Sequence, residues 1–316
     1  MMYLHILFFS NIYKVWIHRF LMVKIAKRAQ RKKKYYYLEH NIREGKKVSK
    51  KQLYLGGAVP KNIEEIKKKF MLEIYTEKWF SSFDKIKEGY SRHNKQLPIS
   101  ARKKELGQFA VKFTYNTQRI EGSTLTLKQT AHLLEHGITP SNRPIDDVKE
   151  AENHKKVFYE VLEYKKDLTL QIILLWHNKL FQDTKVDIAG KIRKHGVEIS
   201  MSKFIPPMAI ELDLLLGEFF DWYKKEKSKL HPVELAALAH LKFVTIHPFG
   251  DGNGRLSRLM MNFVLNKHGF PMLDIPYTKR TGYYNALERS QVRKEDDIFK
   301  QWFFRRYEKE NKRYLR

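Results

Sequence analysis

PVELAALAHLKFVTIHPFGDGNGRLSRLMMNFVLNKHG, residues 232–269, decides the fold. Residues 232–246 are apolar almost all round, and Pro232 suits a first helical turn, where its missing N–H has no partner to lose. A helix apolar on every side belongs in the middle of a domain. The pattern resumes with Leu256, Leu259, Met260, Phe263 and Val264 on one face, and Gly269 follows as a left-handed C-terminal stop. The stretch therefore predicts helix, tight loop, helix.

The loop carries the chemistry. Gly250, Gly252 and Gly254 fall within five residues, with Asn253 among them, so successive backbone N–H groups are free to converge on an anion. The next helix begins there, and its first N–H groups lack partners while its dipole is positive. Arg255 and Arg258 are three apart and project together from the first turn. Asp251 offers the hard oxygen that Mg²⁺ takes alongside substrate phosphates. His247, at the far end of the loop, has the chemistry of a general base. Each element alone reads more readily as a turn, a solvated face or a structural histidine. Together they make a phosphate cradle with a base beside it.

Working outward, helical periodicity dominates from about residue 62 to the end, over 62–92, 100–121, 127–136, 145–164, 168–182, 208–227, 232–246, 254–268, 280–291 and 295–310. Asn62 with Glu65, and Thr126 with Gln129, read as helix-start pairs. Residues 195–207, HGVEISMSKFIPP, alternate and stop at two prolines, which predicts a short β-hairpin in a mainly α domain. KYYYLEHNIREGKKVSKKQLYLG predicts a second hairpin turning at Glu44–Gly45. The chain then divides into an extension over 1–33, a hairpin over 34–60, a linking helix over 61–94 and the main domain over 95–316.

The 316 residues hold no cysteine, which excludes disulfides, thiolate metal sites and cysteine nucleophiles and points to the cytoplasm. The formal charge is +26, and residues 22–51 carry 12 Lys+Arg against two acids. With its tyrosines, that segment leaves nucleic acid open as a partner, against a plain reading of a solvated sheet with lysine-guarded edges. Residues 1–21 are apolar but broken by His5, Asn11, Lys14, His18 and Arg19, so no stable membrane insertion is expected.

HPFGDGNGRLSR, residues 247–258, resembles the Fic (Fido) family signature HxFx(D/E)GNGRxxR at every defined position. AGKIR at 189–193, FIPP at 204–207 and TGYYNALERS at 281–290 extend the likeness over about 95–310. The resemblance implies an α-helical core with a β-hairpin flap that takes ATP and Mg²⁺ and transfers AMP to Ser, Thr or Tyr hydroxyls of a target protein. By position, His247 would be the base and Phe249 the loop anchor. Asp251 would hold Mg²⁺, with Gly252, Asn253, Gly254, Arg255 and Arg258 on phosphate. A strand at 197–204, with Ile199, would pair with the target, and Tyr283 and Tyr284 would lie near the nucleotide and flap. The phosphotransferase branch has Lys where this chain has Gly254, which favours AMP transfer. De-adenylylation, another nucleotide donor and a nucleic-acid-binding regulator are the alternatives, and monomer and homodimer both remain open.

Thr117-Gln-Arg-Ile-Glu121-Gly122 resembles the family's inhibitory motif (S/T)xxxE(G/N). Thr117 and Glu121 share a helix face within about 100–122, and the resemblance pairs Glu121 with Arg258, which withholds that arginine from ATP.

Overall fold

A computed structural model describes residues 23–30, 33–44 and 47–315. The apolar segment at 1–21 and the tip of the first hairpin lie outside the described residues.

The N-terminal strands are β1 (Lys24–Gln30), β2 (Lys33–Glu44) and β3 (Lys47–Gly56), an antiparallel meander in the order β1-β2-β3. The hairpin expected over 34–60 is present as β2 and β3. β1, inside the stretch read as an extension, is an added strand. Its sequence KIAKRAQ has little apolar alternation, so it is held by its ladder to β2, with Ile25 opposite Leu38 and Ala26 opposite Tyr37. Alternation aims Leu38, His40 and Ile42 at the helices, where all three are buried.

The helices follow as α1 (Ile63–Tyr75), α2 (Ser81–Gln96), α3 (Ile99–Ile120), α4 (Leu127–His136), α5 (Ile145–Glu163), α6 (Leu170–Phe181), α7 (Leu212–Glu226), α8 (Pro232–Ile246), α9 (Asn253–Lys267), α10 (Arg280–Arg293) and α11 (Asp296–Glu310). The single helix expected over 62–92 is α1 and α2 joined through a π-turn at Thr76–Phe80, which keeps Trp79 and Phe80 on the buried side. Asn62 makes no side-chain cap, because its backbone is not extended as a capping residue requires. Thr126 and Gln129 do form the reciprocal capping box at α4.

α8 is the centre of the molecule. From Val233 to Ile246 all but Lys242 are buried, and α9 packs antiparallel-fashion back along it after the tight loop. One continuous apolar core runs from Val23 and Leu38 of the sheet region through α1, α2, α8, α9 and α11 to Tyr314. The β-hairpin expected over 195–207 is not formed: the one sheet among the described residues is β1-β2-β3. The flap segment instead runs irregularly, with a turn in which Ser202 N–H donates to Ile199 O (3.0 Å), and has no second strand to pair with. No described helix is long and apolar enough to cross a membrane.

Candidate active site

α8 stops because His247 takes left-handed backbone (φ 53°, ψ 55°) while still donating its N–H to Phe243 O at 3.1 Å. The turn sends residues 248–252 back across the end of the helix. Two side chains fix that loop. Phe249 is fully buried and stacked on His177, with centroids 3.8 Å apart and planes at 9°. Asn253 clamps Phe249 from both sides, its Oδ1 accepting from Phe249 N–H at 2.9 Å and its Nδ2 donating to Phe249 O at 2.8 Å. The Asn253 side chain is therefore spent on the loop. Its share in holding phosphate can only come through the backbone.

α9 then opens with its first N–H groups at Asn253, Gly254 and Arg255, before Leu256 N–H begins the helical ladder onto Gly252 O. Gly252 has φ 82°, and a β-carbon there would collide with Phe181. At Gly254 a β-carbon would collide with Glu121 Oε1. The Glu121 carboxylate thus lies directly over the turn that opens α9.

Glu121 is the C-cap of α3, followed by Gly122 at φ 103°. Its Oε1 accepts from Arg258 Nη2 at 2.6 Å. Arg258 is only 1% exposed, and α3 surrounds it: Nε donates to Thr117 Oγ1 (3.3 Å) and Nη2 to Thr117 O (3.2 Å). Its Nη1 donates to Tyr283 Oη at 3.2 Å. Burial works against the Arg258 charge, and Tyr283 and Glu121 beside it more than restore it. Thr117 and Glu121, four apart, thus meet the same guanidinium.

His247 Nδ1 faces Val244 O at 3.2 Å. A carbonyl only accepts, so Nδ1 carries the proton and Nε2 keeps its lone pair. Burial lowers the His247 pKa, so the neutral, basic form prevails at pH 7.

Asp251 accepts from Lys185 Nζ at 2.7 Å and from Arg255 Nη2 at 2.8 Å. Burial alone would raise its carboxyl, and the two cations hold it well below the usual carboxylate range. The Arg255 side chain is engaged within the protein. It is 2% exposed, lies over the Phe181 ring and pairs with Glu150 as well as Asp251. Here it braces the loop through both acids. Tyr283 is likewise buried, its Oη accepting from Arg258 Nη1 and hydrogen-bonded to His240 Nε2, and Tyr284 Oη donates to Ile120 O at 2.9 Å. Tyr283 thus holds Arg258, and Tyr284 holds the end of α3. Ile199 is half-buried on the flap.

Several positioning residues escaped the sequence reading. His177 accepts at Nδ1 from Gly190 N–H (2.9 Å), which leaves Nε2–H to donate to Asp251 O (3.0 Å). Burial takes its pKa down to about 4, so this tautomer is stable at neutral pH. Arg193 donates to His247 O (2.8 Å), His195 O (2.8 Å) and Pro207 O (2.6 Å), so one guanidinium ties both ends of the flap to His247. Lys185 and Glu150 complete the network behind Asp251. AGKIR drew attention to Arg193's neighbourhood, but which carbonyls it would meet is a tertiary fact.

Residues 167–265 match the model of the Fic/DOC family. Over that stretch the chain resembles the Fic/DOC family. It is 32% identical over 260 residues to protein adenylyltransferase Fic of Drosophila mojavensis, covering 80% of this chain and 51% of that one. With the Drosophila melanogaster protein of the same name it shares 39% over 178 residues, 55% of this chain and 36% of the relative. The chain thus spans about half the length, or less, of these relatives. Among solved structures, a Fic domain containing signaling protein from Bacteroides thetaiotaomicron superposes with a TM-score of 0.65 at 28% identity, over 73% of this chain and 96% of that one. Fic-1 from C. elegans shares the fold, with a TM-score of 0.67 at 24% identity over 80% and 76%.

Proposed function

We propose that this chain transfers AMP from ATP to a Ser, Thr or Tyr hydroxyl of a target protein, and that Glu121 holds the enzyme off. The observation that carries the reading is the Glu121 carboxylate seated over Gly254 and bonded to Arg258. An anion already uses the turn and the guanidinium that a triphosphate would need.

In the reaction, His247 Nε2 takes the proton of the target hydroxyl. The oxygen attacks the α-phosphorus in line, a new P–O bond forms, the bond to the bridging oxygen breaks, and pyrophosphate leaves. Backbone N–H groups of Asn253, Gly254 and Arg255 receive phosphate oxygens, and Arg258 clamps the distal end once Glu121 withdraws. Positioning and charge neutralisation carry catalysis of this type. Among the described residues no cluster of three or more His, Asp or Glu builds a metal cage. Mg²⁺ arriving with ATP needs only one carboxylate, and the ionised, partly exposed Asp251 fits that demand. When bound, the ion would neutralise phosphate charge. The flap over 197–204, with no strand partner of its own, would take the target's backbone by strand addition. Arg193 sets its distance from His247.

The test is incubation with α-³²P-ATP and Mg²⁺ of wild type, Glu121→Gly and Glu121→Gly/His247→Ala. Label should appear in the single variant and vanish in the double. If all three folded proteins stay unlabelled with ATP, repeating the assay with UTP and CTP, and with an adenylylated protein, separates another donor from AMP removal.

A further inference from the structure

We propose that the outer face of the N-terminal sheet binds single-stranded nucleic acid. This is a second activity, separate from the transferase reading. The pairing register places Tyr35 beside Arg28, Tyr37 beside both Ala26 and Tyr54, and Glu39 beside Lys24 and Gln52. Strand alternation puts all of these on one face, opposite the buried Leu38, His40 and Ile42. Tyr54 lies at the centre of the aromatic group, 5.2 Å from the Tyr37 ring and 6.1 Å from Tyr35, and is 55% exposed. The Arg28 guanidinium sits over Tyr37 at 4.6 Å. None of the three tyrosines joins the apolar core or packs against it, so folding does not account for a cluster of rings here.

The charge around the rings is net positive. Lys24, Arg28, Lys33 and Lys50 lie on the same face by register. The acid among them, Glu39, is enclosed by Arg28 (2.6 Å), Lys50 (3.2 Å) and Gln52 (2.8 Å). Exposed rings within a cationic surface suit a strand whose bases stack while its phosphates meet lysine and arginine. A duplex keeps its base faces covered, so only the phosphate contacts would remain for it.

The test uses the full chain and fluorescence anisotropy with fluorescein-labelled dT12 and the corresponding 12-base-pair duplex. Single-strand binding should be the tighter and should weaken steeply with salt. Stacking contributes about 1–3 kcal/mol per base, so Tyr35→Ala/Tyr54→Ala should lose at least ~10-fold in affinity for dT12, whereas Tyr35→Phe/Tyr54→Phe, which keeps the rings, should retain it. Circular dichroism, and ³²P labelling in the Glu121→Gly background, should be unchanged by either pair, which separates this result from any failure of the transferase reading. Equal binding of duplex and single strand that ignores the tyrosines would overturn the proposal. So would no binding, or poly-glutamate displacing dT12 at equal charge, which would mark the face as one for acidic proteins.

Discussion

At the scale of single residues, the site turns on where protons and anions sit. His247 holds its proton on Nδ1 through Val244 O, and burial lowers its pKa. As the proposed base, His247 is therefore competent above that lowered value and lost as pH falls through it. In the Glu121→Gly form, the initial rate of AMP transfer should rise with pH through a midpoint below about 6.5, the ordinary histidine value, and then level off. A midpoint above 7 would point to a different base. Gly254 separates two accounts of inhibition. Alanine there would push the Glu121 carboxylate aside, yet its methyl group would occupy the same turn. Gly254→Ala should thus stay unlabelled by α-³²P-ATP, alone or combined with Glu121→Gly. Activation by Gly254→Ala alone would mean that the ion pair, not access to the turn, is the whole brake.

At the scale of elements, α3 is a bar latched at two points. Its lower half is tied to the loop after α9: Asn116 Nδ2 donates to Asp274 Oδ2 at 2.6 Å, and Asn116 Oδ1 accepts from Tyr277 N–H at 2.9 Å. That loop is tied in turn to α9 through Asn262, which accepts from Leu273 N–H at 2.8 Å one helical turn beyond Arg258. Asn116→Ala would leave a buried carboxylate and a backbone N–H short of partners, at about 1–3 kcal/mol each. A looser α3 should hold Glu121 less firmly, so ³²P labelling should fall between wild type and Glu121→Gly. Labelling at the wild-type level alongside a lowered melting temperature would show that this latch serves stability alone. The elements also show what sequence makes legible. The paired helices around His247, the stop at Gly269 and the Thr126 cap follow from local rules, and so does the Thr117–Glu121 spacing. β1 was hidden because KIAKRAQ becomes a strand only by pairing with β2. The alternation of 195–207 read as a hairpin, but alternation does not supply the partner that a ladder needs. The inward turn of Arg255 depends on Glu150, 105 positions away, the reach of Lys185 on Asp251, 66 positions away, and that of Arg193 on carbonyls, none of which carries a sequence signal.

At the scale of the whole molecule, the N-terminal region and the helical domain are held together by a buried ionic knot as well as by shared apolar core. Lys300 on α11 is 1% exposed, with its Nζ 2.9 Å from both Glu234 of α8 and Asp297 of α11. Tyr75 of α1 donates to Asp297 at 2.7 Å, and its ring lies 4.9 Å from the Lys300 ammonium. Asp297 and Lys300, both on the last helix, thus tie it to the first helix through Tyr75 and to the central helix through Glu234. Burial would raise the Asp297 carboxyl, and Lys300 holds it below its ordinary value. With the folded pKa depressed, its stabilising contribution is complete above the unfolded value of about 3.9 and lost only as pH falls through the folded one. Measurements at pH 7 therefore see the knot intact. Removing one partner from a buried ion cluster costs about 3–5 kcal/mol, because the remaining charge and the Tyr75 hydroxyl are stranded. Urea unfolding of Asp297→Ala at pH 7 should show a loss of that size, while Lys300→Met/Glu234→Leu/Asp297→Leu, which strands no charge, should recover most of it. If the single variant costs under about 1 kcal/mol, the knot is solvated and the apolar core alone joins the two regions.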